Sequence, residues 1–387
     1  MATNVQVQGA CDSRFERVRQ SFEGSFASGE VGAALAVTLD GEPVVDLWGG
    51  YADAARTRPW QRDTIVNVYS TTKGMTAICA HRLVEQGRLD LDAAVARYWP
   101  EFAQAGKDQV PVRHLLSHQA GLAPVAPPIT VEHLYDWHFM TSTLAAQAPA
   151  WKPGTQHGYH ALTFGYLVGE LVRRVDGRSL GRYFREEIAK PLEVDFHIGL
   201  DEHDDARCAD MIPAPPPPQG AADVFVNAAK NPESLAGRVF GNPRLDPRQV
   251  NTRGWRGTEI PAANGHGDAR GLARIYGALA CNSDLDGVHI LGPDAINRAT
   301  TEQAFGTDAV LAPLHTRFGL GFFLTQPMIP FGPNPRAFGH PGAGGSIAFA
   351  DPDARLGFAY VMNQMQQGLS GDARGFSLIF DVYNALN

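Results

Sequence analysis

Strand-like segments lie at both ends of this chain and helical segments fill its middle, an order that few folds accommodate. Near the N-terminus, VGAALAVTLD (31–40) reads as a strand, Asp40-Gly41 as a hairpin turn and PVVDLWGG (43–50) as the returning strand. Asp12 or Ser13 can cap a preceding helix whose apolar residues Phe15, Val18, Phe22 and Phe26 share one face, and it stops near Gly29. Late in the chain, RFGLGFFLT (317–325), GSIAFADP (345–352) and RLGFAYVMNQ (355–364) are β-rich and separated by turn residues, as in a meander. GFSLIFDVYNAL (375–386) reads as a closing helix able to pack on that sheet beside the first. Between these ends, TTKGMTAICAHRLVEQGRL (71–89), VRHLLSHQAGL (112–122) and LTFGYLVGELVRRVDG (162–177) have helical character, the last closing on Asp176-Gly177. The predicted fold is α+β or α/β: an antiparallel sheet flanked by N- and C-terminal helices, with an inserted all-helical domain. Residues 1–70 and 235–387 would form the discontinuous α/β domain and 71–234 the mostly helical one, with an active site at their junction. A length of 387 residues exceeds a usual single core, in keeping with two lobes. The proline-rich stretch Pro213 to Gln219 excludes regular helix and central strand there and reads as a surface loop.

Charge and cysteine usage remove several classes. A net charge of −8 with no basic run offers nucleic acid no phosphate footprint. Cys11, Cys79, Cys208 and Cys281 are scattered with no C-x-x-C pair, which argues against a zinc knuckle or a thioredoxin-like motif and for free thiols. The first twenty residues lack an apolar signal core, and no apolar run approaches membrane-span length, so a soluble cytoplasmic protein is the expectation. There is no G-x-S-x-G for a nucleophile elbow and no H-E-x-x-H for a metallohydrolase.

Only five lysines occur, which gives weight to the one in Ser70-Thr71-Thr72-Lys73. On a helix, side chains three apart share a face, so Lys73 Nζ can reach Ser70 Oγ. A serine needs such a base to become nucleophilic, and a lysine can serve if burial and a helix N-terminus lower its pKa. S-x-x-K is short, however: about one chance match is expected in a chain of this length. A capping serine with a solvated lysine fits it equally. A second element is Tyr159, on a loop just before the 162–177 helix, where a phenol could shuttle a proton between nucleophile and leaving group. His157 and His160 flank it at a spacing that could suit a metal, but no third ligand is evident, and no metal or cofactor is predicted. The third element is GHPGAGGSIAF (339–349), whose glycines 342, 344 and 345 would let backbone N–H groups approach a ligand beside a strand. His340 could hydrogen-bond substrate or the tyrosine.

The order S-x-x-K, tyrosine motif, then [KH]-x-G strand resembles the serine β-lactamase and penicillin-binding-protein superfamily. In detail it is similar to the class C β-lactamase-related branch, and within it to the family VIII carboxylesterases. HLLSHQAGL (114–122), WKPGTQHGYHALTFGYLVGELVRRVDG (151–177), NGHGDARGLARIYGALA (264–280) and FGHPGAGGSIAFADP (338–352) carry that likeness across much of residues 60–365. The resemblance implies that Ser70 is acylated, that Lys73 and Tyr159 share general-base work, and that the backbone N–H groups of Ser70 and Ala343 form an oxyanion hole. His340-Pro341-Gly342 stands where β-lactamases carry Lys-Thr-Gly, and Tyr159-His160-Ala161 where they carry Tyr-x-Asn. Both departures remove β-lactam contacts and favour a neutral ester.

The expected activity is a serine carboxylesterase acting on small, short-acyl esters, with β-lactams as slow ligands and with Trp137, Trp151, Phe240 and Trp255 as pocket walls beside His340 and Gly342. A β-lactamase or D-alanyl-D-alanine peptidase, and a catalytically idle binding or sensor protein on the same scaffold, stay open as alternatives. Oligomeric state is not indicated.

Overall fold

The computed structural model describes residues 5–216, 229–282 and 284–386. Among the described residues nine strands make one sheet: β1 (Gln8–Cys11), β2 (Gly32–Leu39), β3 (Glu42–Gly50), β4 (Ala304–Thr307), β5 (His315–Phe318), β6 (Phe323–Leu324), β7 (Phe338–Pro341), β8 (Ile347–Asp351) and β9 (Leu356–Met362). Their spatial order is β1-β3-β2-β9-β8-β7-β6-β5-β4, and every pairing is antiparallel. Strands from the two ends of the chain meet at the β2/β9 seam, where Leu35 lies opposite Tyr360 and Ala33 opposite Met362. Five helices cover this sheet or position the site: α1 (Glu16–Ala27), α2 (Thr72–Glu85), α3 (Thr163–Asp176), α4 (Ala269–Ala280) and α5 (Ala373–Leu386).

Central strands β2 and β9 are apolar and buried on both faces, because helices cover both. On one face α4 approaches so closely that a Cβ on Gly357 of β9 would stand 2.3 Å from Ala273 O and 2.4 Å from Gly277 N. On the other, α5 packs Gly375 against Ile347 and Tyr360. Arg17 and Ser21 of α1 both donate to the Asp381 carboxylate of α5, Arg17 at 2.8 Å, which fastens the first helix to the last.

The hairpin turn is as read: Asp40 (φ 53°) and Gly41 (φ 86°) are both left-handed, as a type I′ turn requires. The helices expected over 71–89 and 162–177 run Thr72–Glu85 and Thr163–Asp176, the second capped by Gly177 at φ 93°. Three expectations need correction. RFGLGFFLT is two strands, since the chain reverses between Phe318 and Phe323 with Gly321 at φ 88°. The helix read over 112–122 covers only Val112–Leu116, because His118 (φ 60°) and Gly121 (φ 74°) take conformations that end a helix. The inserted region is not wholly helical: Phe196–Ile198 pairs with Gly265–Gly267, which also pairs with Val66–Asn67. Of the proline stretch, Pro213 to Pro216 lie outside helix and strand, and 217–219 lie outside the described residues. All four cysteines are free. Among the described residues no helix is long and apolar enough to cross a membrane.

Two glycine substitutions test this packing by thermal unfolding. Gly357→Val should lower the midpoint, at a cost of about 1–3 kcal/mol, because its side chain has no space against α4. Gly24→Ala, on an exposed helical position with nothing within 4 Å, should raise it slightly.

Candidate active site

Ser70 sits in the turn that joins Val66–Asn67 to α2. The preceding Tyr69 has φ 45°, a left-handed conformation that costs a bulky residue about 1–3 kcal/mol. Three contacts hold it: Val68 N–H donates to Gly265 O (2.9 Å), Thr72 Oγ1 donates to Tyr69 O (2.5 Å), and Gly265 N–H donates back to Thr72 Oγ1 (2.8 Å). The half-buried serine thus stands at the start of α2, where the helix N-terminus favours negative charge.

Lys73, one turn on, has no exposed surface. Its Nζ lies 3.1 Å from Ser70 Oγ, 2.7 Å from Ala161 O and 2.9 Å from Ala262 O. Burial holds its pKa well below the ordinary lysine range, and among the described residues no carboxylate offsets that effect. A neutral amine has two N–H donors and one lone pair. With the two carbonyls taking the donors, the lone pair is left for the serine hydroxyl.

Tyr159 covers Lys73, with Nζ 4.7 Å from the ring centroid. Burial raises the phenol's pKa more than its hydrogen bond to Ser70 lowers it. Its position depends on Asp308, which has no sequence signal of its own, and on three histidines. Asp308 is buried and accepts the N–H groups of Tyr159 (3.0 Å), Val310 (2.9 Å) and Leu311 (2.9 Å), while its second oxygen takes the Thr316 hydroxyl at 3.0 Å. Behind the phenol, His118 accepts from His160 N–H at 3.1 Å and packs its ring 5.1 Å from that of Tyr159. His160 uses one ring nitrogen on Leu122 N–H (3.0 Å) and the other on Gly158 O (2.7 Å), and burial pushes its pKa down to about 4. His157 meets the Thr316 hydroxyl at 3.0 Å. Both flanking histidines are therefore framework.

The opposite wall is the end of β7. Gly342 is required by contact: a Cβ there would lie 2.2 Å from Ser346 Oγ and 2.3 Å from Val68 O. Ser346, another residue missed by sequence reading, donates to Val68 O at 2.9 Å and lies 3.3 Å from Thr71 Oγ1. It ties the 342–346 turn to the Ser70 turn. From behind, Arg374 of α5 donates to Gly344 O (2.8 Å) and to buried Glu30 (2.8 Å). The backbone N–H groups of Ser70 and Ala343 make no hydrogen bond among the described residues, and both residues border the same cavity. His340 is buried, its Nδ1 2.6 Å from Pro341 O and its Nε2 without a partner among the described residues. Burial keeps its pKa well below the ordinary imidazole value, so it is uncharged at neutral pH.

Ser70, Tyr159 and Ala343 line a cavity of about 240 Å³ with Phe240, Leu245 and Met365 among its apolar walls. The other three aromatic wall candidates do not reach it. Trp137 packs against Tyr166 and donates to Glu170 at 2.8 Å. Trp151 stands behind the Tyr159 loop, on His160, donating to Gln156 O at 3.1 Å. Trp255 is fully buried and donates to Asn67 at 3.0 Å. Each satisfies its indole N–H within the framework, as buried tryptophans do.

This arrangement of a buried lysine, a turn serine and a covering phenol lies within a recognisable frame. Residues 17–378 match the family model described as Beta-lactamase. The chain belongs to that family. It is 39% identical to the Esterase/beta-lactamase LipL of Mycobacterium tuberculosis, over 97% of this chain and 88% of the relative. Two solved structures superpose on 98% of this chain and 100% of their own at 44% identity. One is a family VIII carboxylesterase, at a TM-score of 0.91, and the other a penicillin-binding protein homolog from Caulobacter crescentus, at 0.89. As a member of the Beta-lactamase family, the chain is a serine hydrolase.

Gly342→Ala is expected to displace the 343–345 turn and lower kcat for ester hydrolysis about 100-fold, with circular dichroism unchanged. Ser346→Ala removes the tie to Val68 and the longer contact with Thr71, and kcat should fall about 5-fold, on the scale of a buried hydrogen bond.

Proposed function

We propose that this enzyme is a serine carboxylesterase of small, uncharged esters, working through an acyl group carried on Ser70. The observation that carries the reading is the hydrogen bonding of Lys73, whose two carbonyl partners leave a lone pair for Ser70 Oγ. In this mechanism neutral Lys73 takes the Ser70 proton as Oγ attacks the ester carbonyl. The developing oxyanion is held by the N–H groups of Ser70 and Ala343, the largest single contribution expected in acyl transfer. As the C–O bond to the alcohol breaks, Tyr159 donates its proton to the departing oxygen and is reprotonated from Lys73. Water then enters, loses a proton by the same route and releases the acid, which restores neutral Lys73 and Ser70. The raised pKa of Tyr159 favours this role as a relay that stays neutral over a role as phenolate base.

Substrate class follows from what the walls lack. No lysine, arginine, aspartate or glutamate is among the described residues lining the cavity, and neutral His340 supplies no cation for a carboxylate. A volume of about 240 Å³ also falls below the roughly 300–1,000 Å³ usual for drug-sized ligands, in favour of short acyl groups. The site would lie at the junction of an α/β domain (1–70 and 235–387) and a helical domain (71–234). The similarity to an esterase/β-lactamase and to a penicillin-binding protein homolog keeps β-lactams as slow acylating ligands.

Hydrolysis of p-nitrophenyl butyrate and of a chromogenic cephalosporin, by wild type and Ser70→Ala, tests the reading. Ester turnover should vanish in Ser70→Ala, and the cephalosporin should acylate without efficient turnover. Efficient cephalosporin hydrolysis without ester hydrolysis would make the enzyme a β-lactamase instead. The pH profile supplies a second check. Because burial lowers the Lys73 pKa, kcat/KM should rise with pH and level off well below the ordinary lysine range. Lys73→Arg, charged but unable to act as a base, should lose nearly all activity at every pH.

A further inference from the structure

A second cavity, of about 210 Å³, adjoins the one that holds Ser70. Tyr159 and Leu369 line both, and Ser70 lines only the first. The two chambers therefore meet at the phenol, with Leu369 as the other part of the divide. The second chamber is walled by Leu311, Leu314, Phe323 and Ile329, with Met328 exposed at its mouth. Thr316 offers no free polar handle there, since its hydroxyl is engaged by Asp308 and His157, each at 3.0 Å. Among the described residues neither chamber is lined by a lysine, arginine, aspartate or glutamate, and the second adds His315 and Ser370 to its apolar walls.

We infer that the two chambers divide the ester: the acyl substituent occupies the Ser70 chamber and the alcohol substituent the chamber beyond Tyr159. This rests on the proposed roles of Ser70 and Tyr159 and adds a direction to them. The acyl carbon bonds to Ser70 Oγ and stays there when the alcohol leaves, so its substituent must remain on the serine side. The leaving oxygen receives its proton from Tyr159, so the group attached to that oxygen extends toward and past the phenol. Chamber two is what lies past it. The substrate class sharpens accordingly, to esters with an apolar acyl portion and an alcohol portion as bulky as an aryl or branched group.

Leu314 and Leu245 are half-buried wall residues of the second and first chambers. The test measures kcat/KM by pH-stat for the methyl and 1-naphthyl esters of acetic and hexanoic acid, with wild type, Leu314→Trp and Leu245→Trp. Filling the second chamber in Leu314→Trp should lower the naphthyl-to-methyl ratio about 10-fold or more for either acid, the scale of a changed apolar pocket contact. Its hexanoate-to-acetate ratio should move by less than about 2-fold. Leu245→Trp should do the reverse. Leu314→Ala is the companion variant should the tryptophan not fold, and it should raise the naphthyl-to-methyl ratio. Ratios that respond to acyl length in the Leu314 variants, or to the alcohol in Leu245→Trp, would overturn the division. Ester hydrolysis persisting in Ser70→Ala would overturn the nucleophile assignment instead, so the two failures are separable.

Discussion

Everything at this site depends on one amine with no exposed surface. Moving a lysine out of solvent disfavours its charged form, and an ion pair would ordinarily counter that. Around Lys73 the chain provides two carbonyls and a hydroxyl, and burial alone sets the direction of its pKa. Burial by itself would not make a base. Lys107 is also without exposed surface and also bonds two carbonyls, those of Gln104 and Gln147, but among the described residues it has no hydrogen bond to a hydroxyl. What distinguishes Lys73 is the third direction of its nitrogen, which points at Ser70.

The rest of the structure can be read as what keeps that direction fixed. The two carbonyls come from distant parts of the chain, Ala161 just before α3 and Ala262 in the segment leading to α4. α3 can reach this position because Gly165 leaves room against Pro261 and Ala262, where a Cβ would stand 2.5 Å from Ala262 N. Asp308 clamps the Tyr159 backbone from a third segment, and Ser346 clamps the Ser70 turn to the end of β7 from a fourth. In the proposed mechanism a small fraction of the chain does the chemistry, and residues scattered from 118 to 374 hold it in register. Such supporting contacts are what preorganised catalysis requires.

How much of this was legible in the sequence depends on how local each signal is. Hairpin 31–50, α2, α3 and the sheet from both chain ends were readable because periodicity and turn chemistry act over neighbouring residues. The reversal inside 317–325 was not, since an apolar run with two glycines looks the same as one strand or as two. His118 broke a helix that periodicity continued, through a left-handed conformation uncommon outside glycine. At the site, Ser70, Lys73 and Tyr159 stood out by spacing and company. Asp308 and Ser346 did not, because a lone aspartate in FGTDAVLAP or a serine after three glycines gains meaning only from partners 149 and 278 residues away. The tryptophans misled for a related reason: large aromatics mark buried volume, and whether that volume is pocket or core is decided by tertiary contacts.

The central claim is that Lys73 is an uncharged amine at working pH, and its own titration is the most direct measurement. With five lysines in the chain, ¹³C-labelled Lys Cε resonances can be followed individually by NMR, and that of Lys73 identified by its loss in Lys73→Arg. The account predicts a Lys73 resonance that titrates far below the roughly 10.4 of a solvated lysine and is in its neutral form at the pH of maximal kcat/KM. A Lys73 that stays protonated up to the ordinary lysine range while the enzyme is fully active would contradict it.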